Sequence, residues 1–274
     1  MIRIRMSIQT KHNPNDVNNG LCGAICHGLL NHDNIEAVDS YEDIIHVFGN
    51  WSHKNLCLIR NLRSKQIPVI FSALKGLSCL LSDTGNTTRN INILCTIRNI
   101  AATGAIIHVC GPVEYNIIKK TAKTANVKII SNAMLTSSTS MPSMVNSFAK
   151  LYTTAYYEND ENIKASIHDT VSQYGIHDNN MSEICEKMLY LKHLKRKGVI
   201  RRTFLDETTE LLRNADYDEN VMLQVLEKMK ISRFAENAMA LMAEESTLTE
   251  GFMPITAIEG KTFRKMKELV IDSK

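Results

Sequence analysis

Over the first 135 residues the apolar positions gather in short runs, Ile2 to Ile8 (alternating with Arg3, Arg5 and Ser7), Asp43 to Phe48, Pro68 to Ser72, Ala105 to Val109 and Val127 to Ser131. Each is bounded by polar residues or glycine. Runs of strand length that are mainly apolar are the pattern of strands buried on both faces of a parallel sheet. Helical patterns separate them: Gly20 to Asn31, His53 to Lys65 with Leu56, Ile59 and Leu62 on one face, Thr87 to Ala102, and Pro112 to Ala125 with Pro at its first position. Repeated strand–helix alternation predicts βαβ crossovers and a doubly wound sheet. Too few residues join the helix ending near Asn31 to the run at Asp43 for a full βαβ unit, so the expected domain, Met1 to about Leu135, is a reduced Rossmann-like one.

Beyond Leu135 the strand signals stop. Helical periodicity predicts helices over Pro142 to Tyr157, Glu161 to Tyr174, Ser182 to Lys197, Thr203 to Arg213, Glu219 to Lys230, Ser232 to Ala243 and Lys261 to Asp272. Asn180 with Glu183 fits a capping box, Asp160 and Asp218 stand where N-caps are expected, and Gly175 and Gly198 follow helix ends. The expected fold class is therefore α/β, a doubly wound parallel sheet over residues 1–135 followed by an α-helical domain over 136–274. The apolar stripes of those helices, rich in Met222, Met229, Met239 and Met242, are too numerous for helices lying singly on a sheet and predict a bundle of their own.

Composition sharpens this picture. The chain has 274 residues, 44% of them hydrophobic, and no apolar run near the roughly 18 residues a membrane span needs. That favours a cytoplasmic protein, as do seven scattered cysteines. Cys22 and Cys26 are the one close pair, without the second Cys or His pair that structural zinc requires, so neither metal nor cofactor is expected. Up to Leu135 there are 14 Lys and Arg against 8 Asp and Glu, and afterwards 18 against 21. The net charge is only +3, which does not suggest a nucleic-acid binder.

Ligands of open α/β sheets bind outside the carboxyl ends of the strands. After the first run lie Asn18, Asn19 and Gly20, whose backbone N–H groups at a helix start suit a phosphate or sugar oxygen, although neither G-x-G-x-x-G nor a P-loop is present. After the second comes Gly49-Asn50-Trp51, after the third Ser72 and Lys75, and Glu114 and Asn132 follow the last two. His46 is the candidate general base or acceptor contact, with a hydrogen-bonded structural histidine as its alternative. Trp51 either stacks on a sugar ring or anchors the core.

One of these segments, Asp43-Ile44-Ile45-His46-Val47-Phe48-Gly49-Asn50-Trp51, resembles the D-[IV]-[IV]-H-[VI]-H-G-x-W stretch of group 1, family 4 type glycosyltransferases of the two-domain GT-B fold. Ile67 to Leu77 resembles their I-P-V-[IV]-x-[ST]-P-H-G-x-L stretch, Ile106 to Val109 with Glu114 resembles the strand and S-x-x-E helix start that follow, and Val127 to Ala133 resembles the strand closing the acceptor domain. The likeness covers about residues 43 to 135, in family order. It implies a glycosyltransferase-like protein of bacterial polysaccharide synthesis, with a sugar or lipid-linked sugar acceptor bound by the residues named above.

Departures qualify that implication. The second His of the family's H-x-H-G is Phe48, and the Pro, His and Gly of its P-H-G are Ala73, Leu74 and Lys75. The residues after Ala133 show no further strand–helix alternation and no carboxylate pair in a strand-to-helix context, so the nucleotide-sugar domain has no counterpart among them. Transfer requires the leaving diphosphate to be neutralised while the acceptor is held across the cleft. The expectation is an activity that is impaired or absent in this chain alone. The alternative is a non-catalytic adaptor or regulatory subunit, with a complete transferase, another protein or a second copy as partner. Lys192 to Arg202 is the most basic stretch, but it lacks interleaved aromatics and is followed by Asp206, Glu207 and Glu210. Peripheral contact with an anionic membrane is compatible with it, and nucleic acid is disfavoured.

Overall fold

A computed structural model describes residues 1–8, 17–29, 32, 34–73, 77, 81, 87–132 and 140–272, with side chains of the first helix from Cys22 onward. The expected runs become strands β1 (Ile2–Ile8), β3 (Ile44–Gly49), β4 (Val69–Ala73), β5 (Ile106–Val109) and β6 (Asn126–Ile129). A three-residue strand not foreseen, β2 (Ile35–Ala37), adds an edge. All six pair in parallel in the order β2-β1-β3-β4-β5-β6. The fold is α/β with a Rossmann-like parallel sheet, as the alternation implied.

Side chains alternate across the sheet, so each central strand feeds two cores. Ile44 and Phe48 of β3 join Ile4 and Ile70 in a cluster covered by α1 (Val17–Leu29) and the first part of α5 (Met141–Ser172). Ile45 and Val47 join Val69, Phe71 and Ile107 in the opposite cluster, under α2 (His53–Ser64), α3 (Thr87–Ala102) and α4 (Pro112–Thr121). Helices thus cover both faces, and each fully buried Ile or Phe there contributes about 1.5–3 kcal/mol. Gly28 of α1 lies against Val145 of α5, where a Cβ would come within 2.4 Å of the valine, so the approach of these helices depends on the missing side chain.

Contacts divide the chain into Met1–Asn159 and Asp160–Lys274. The division falls later than Leu135 because Met144, Phe148, Leu151, Tyr152 and Ala155 of α5 belong to the sheet's core. Asp160 does not start a helix, since α5 runs through it without a break. The second unit consists of the rest of α5, α6 (Asn179–Lys197), α7 (Arg202–Asn214), α8 (Glu219–Lys228), α9 (Ser232–Ser246) and α10 (Lys261–Lys267). A minimal parallel pair, β7 (Ile200–Arg201) and β8 (Val270–Ile271), joins the stretch after α6 to the stretch after α10. Its helices share one core, which includes Met222, Met229, Met239 and Met242. Asp218 caps α8 as expected, but α6 is capped by Asp178, which accepts from Met181 N, rather than by Asn180. Asn237 of α9 accepts from Gly260 N and Phe263 N and so caps α10 from outside.

Candidate functional site

The chain leaves β1 for β2 on one side and returns to β3 on the other, which makes β1 and β3 the switch point of the sheet. A ligand crevice is expected outside their carboxyl ends. α1 begins at Val17, so Asn18, Asn19 and Gly20 lie in its first turn instead of the loop before it. The backbone N–H groups of Asn18 and Asn19 are among those a helix start leaves without intrahelical partners. Lys75, with Leu74 and Gly76, lies outside the described residues.

The turn after β3 is braced from below. Ser52 caps α2, accepting from Asn55 N at 3.4 Å, and the Asn55 side chain, only 2% exposed, donates to Asn50 O at 2.8 Å. Gly49 sits directly over it, since a Cβ at that position would meet Asn55 Nδ2 at 2.2 Å. Asn50 is exposed at the tip. Trp51 turns inward, edge-on to Phe71 with ring centroids 5.0 Å apart, so of its two expected roles it takes the core one. The indole Nε1 and Asn55 Oδ1 are buried without hydrogen-bond partners.

Glu114, in the first turn of α4, accepts from Leu77 N at 2.8 Å through one oxygen and from Cys110 N at 3.3 Å through the other. Its carboxylate thereby fastens the segment after β4 to the start of α4. Asn132, just past β6, is buried.

Beneath this edge lies a buried polar chain. Tyr152 Oη is 2.7 Å from His46 Nδ1, His46 Nε2 is 2.7 Å from Ser72 Oγ, Ser72 Oγ is 2.7 Å from His108 Nδ1, and His108 Nε2 is 3.0 Å from Ile130 O. The partners assign every proton. Ile130 O can only accept, so His108 carries its proton on Nε2 and accepts at Nδ1. Ser72 donates to that nitrogen and accepts from His46 Nε2–H, and His46 Nδ1 then accepts from Tyr152. Neutral imidazoles are what this pattern needs. Burial pushes His108 down to about 4, and burial with the neighbouring His108 holds His46 well below the ordinary imidazole range. Burial also raises the Tyr152 phenol.

Sequence reasoning placed His46 and Ser72 near one edge, and the structure joins them directly. His46 is fully buried, stacked on Phe48 at 4.0 Å and flanked by Phe148, with both ring nitrogens engaged. As placed, it offers a substrate no free lone pair. Of the remaining candidates, Asn50 is exposed and Gly49 is buried beside it, whereas Trp51, Ser72, Glu114 and Asn132 are committed inside or to backbone groups.

His108, Tyr152 and Asn55 were not foreseen. The signal for His108 was present, because His46, Ser72 and His108 are single polar residues interrupting three otherwise apolar runs. Nothing comparable marks Tyr152 on its helix. Among the described residues no three His, Cys, Asp or Glu side chains stand together as a metal site would require, and no helix is long and apolar enough to cross a membrane. Comparison with protein-family models, with curated proteins and with solved structures finds no match for this chain.

Proposed function

We propose that the chain is a glycosyltransferase-like protein of bacterial polysaccharide synthesis that binds a sugar-bearing acceptor at the carboxyl edge of its sheet and does not transfer a sugar by itself. The binding half of this reading rests on the likeness of Asp43 to Trp51 to the family stretch and on the position of Gly49 and Asn50 beside the switch point. One observation carries the second half: His46, the candidate base, is wholly enclosed with both nitrogens bonded. A general base must come within hydrogen-bond reach of the proton it removes.

The adaptor reading draws on a separate observation. Among the described residues of the second unit, the helices share one core and the strands are only the pair β7 and β8, with no second strand–helix sheet of the kind that holds a nucleotide diphosphate. Calorimetric titration of the full chain with UDP-, GDP- and dTDP-sugars, and amide-shift titration with mono- and oligosaccharides, separates these readings. Saccharide-induced shifts at Gly49 and Asn50 without nucleotide-sugar heat are expected. Tight nucleotide-sugar binding would overturn the claim that the chain lacks transfer capacity, and silence toward every saccharide would leave the adaptor role.

A further inference from the structure

Ala240, Ala243 and Glu244 stand at i, i+3 and i+4 on α9 and so share one face. Phe263 and Lys267 share a face of α10, and the two helices pack in the same core. The loop between them is pinned to α9. Ile258 N donates to Glu236 O at 3.0 Å, and Asn237 Oδ1 accepts from Gly260 N at 3.1 Å and from Phe263 N at 2.9 Å. Ala257 and Glu259 are thereby held beside the helix faces, and all seven residues line one pocket of about 520 Å³. The three alanines end at Cβ, which is what leaves the space.

The lining has an apolar floor and a charged rim. Ala240 and Phe263 are buried, whereas Glu244, Glu259 and Lys267 are exposed. Glu244 is ion-paired with Lys267, and Glu245, next on α9, is taken by Arg202 at 2.7 Å. Glu259 stands in no ion pair among the described residues. Two carboxylates against one ammonium leave the rim with an excess negative charge. In keeping with that, the bond to Glu244 and the charges of Glu244, Glu245 and Glu259 hold Lys267 above the ordinary lysine value. An anionic ligand would meet the unmatched carboxylate. A hard metal ion asks for about six oxygen ligands, and among the described residues no three His, Cys, Asp or Glu stand together. An ammonium on a short methylene stem matches both parts of the lining, its charge meeting Glu259 and its stem the alanine floor.

We propose that this pocket of the helical unit binds an aliphatic primary amine, with the ammonium beside Glu259 and the stem over Ala240, Ala243 and Ala257. Free alkyl amines and the lysine side chain of another protein share this chemistry. Binding makes and breaks no covalent bond and leaves the Glu244–Lys267 pair in place. Neutralising Lys267 adds a second unmatched carboxylate to the rim, whereas neutralising Glu259 removes the first. The two changes therefore move the affinity in opposite directions.

The test is an amide-shift titration of the full chain with n-butylamine, with methylamine as the stemless control and butyrate as the control of opposite charge. Saturable shifts at Ala240, Ala243 and Ala257 are expected with butylamine, weaker ones with methylamine and none with butyrate. Glu259→Gln should weaken butylamine binding by up to about fivefold, the range of an exposed ion pair, and Lys267→Gln should strengthen it. Both side chains are exposed, so neither change threatens the fold. Ala243→Leu fills the floor and should abolish the shifts, with Glu259→Gln and Lys267→Gln deciding if that variant does not fold. Cadaverine and Nα-acetyl-lysine N-methylamide complete the series, and the tighter of the two assigns the source as a free amine or a partner's lysine. Absence of saturable shifts, butyrate binding as well as butylamine, or an affinity indifferent to both Glu259→Gln and Lys267→Gln overturns the proposal.

Discussion

His46 and His108 share a single hydroxyl, with Ser72 Oγ standing 2.7 Å from a ring nitrogen of each. Ser72 lies directly opposite His108 in the sheet register and opposite Phe48, two residues along β3 from His46. One small side chain therefore links three adjacent strands.

That linkage makes stability depend on pH. Both imidazoles are neutral in the folded chain, and their folded pKa values lie below the unfolded value of about 6.5. Below that pH the unfolded chain binds more protons, so stability is complete above about pH 6.5 and is lost as the pH falls toward 4. At about 1.4 kcal/mol per pH unit, His108 alone accounts for about 3 kcal/mol over that range. Urea unfolding at pH 7.5, 6 and 5 should show a progressive loss, and a flat profile would contradict the buried neutral pair.

Replacing Ser72 with Ala leaves two buried groups unpaired, His46 Nε2–H and His108 Nδ1. Tyr152→Phe leaves one, His46 Nδ1. Each orphaned group costs about 1–3 kcal/mol, so Ser72→Ala is expected to destabilise by roughly twice as much as Tyr152→Phe in denaturant melts at pH 7.5. Equal losses would remove Ser72 from the centre of the chain.

Gly49→Ala places a methyl 2.2 Å from Asn55 Nδ2, an overlap that forces the brace beneath the turn to move. A loss of about 1–3 kcal/mol is expected from such crowding. In an Asn55→Ala background most of that penalty should vanish, and a double-mutant cycle reads the coupling. Additive effects would mean that the turn adjusts in some other way.

The division at Asn159 predicts how fragments behave. A chain ending at Asn159 keeps Met144, Phe148 and Tyr152 over the sheet and is expected to melt cooperatively. One ending at Leu135 bares the face carrying Ile4, Ile44, Phe48 and Ile70 and is expected to be insoluble. A cooperative melt from the shorter fragment would return the boundary to the place the strand pattern alone suggests.

Strand positions were legible because buried parallel strands declare themselves as short apolar runs, and five of the six strands of the large sheet were placed within two residues at each end. β2 was not, since Ile35-Glu36-Ala37 is too short to show a period. The break expected before Glu161 did not occur. Asn159-Asp160 has the composition of a helix start, yet both residues have side-chain partners that hold them in mid-helix, Asn159 with Gln66 O and Asp160 with Tyr190 and Lys164. At the site, His46 and Ser72 were legible as polar residues in apolar runs. Their enclosure was not, because it depends on Tyr152 and Phe148, more than a hundred residues downstream of His46 on a helix whose pairing with this face no local pattern encodes.

Side-chain alternation has period two, so it tells a strand which way to face but not how far to slide. If β4 shifted two residues along β3 and β5, Val69 and Phe71 would still point to one core and Ile70 to the other. Hydrophobic burial would barely register the error. Ser72 would register it fully, stranded from both imidazoles while still buried. The polar chain thus works as an alignment gauge: it makes the near-miss pairings of β3, β4 and β5 costly and the native one unique.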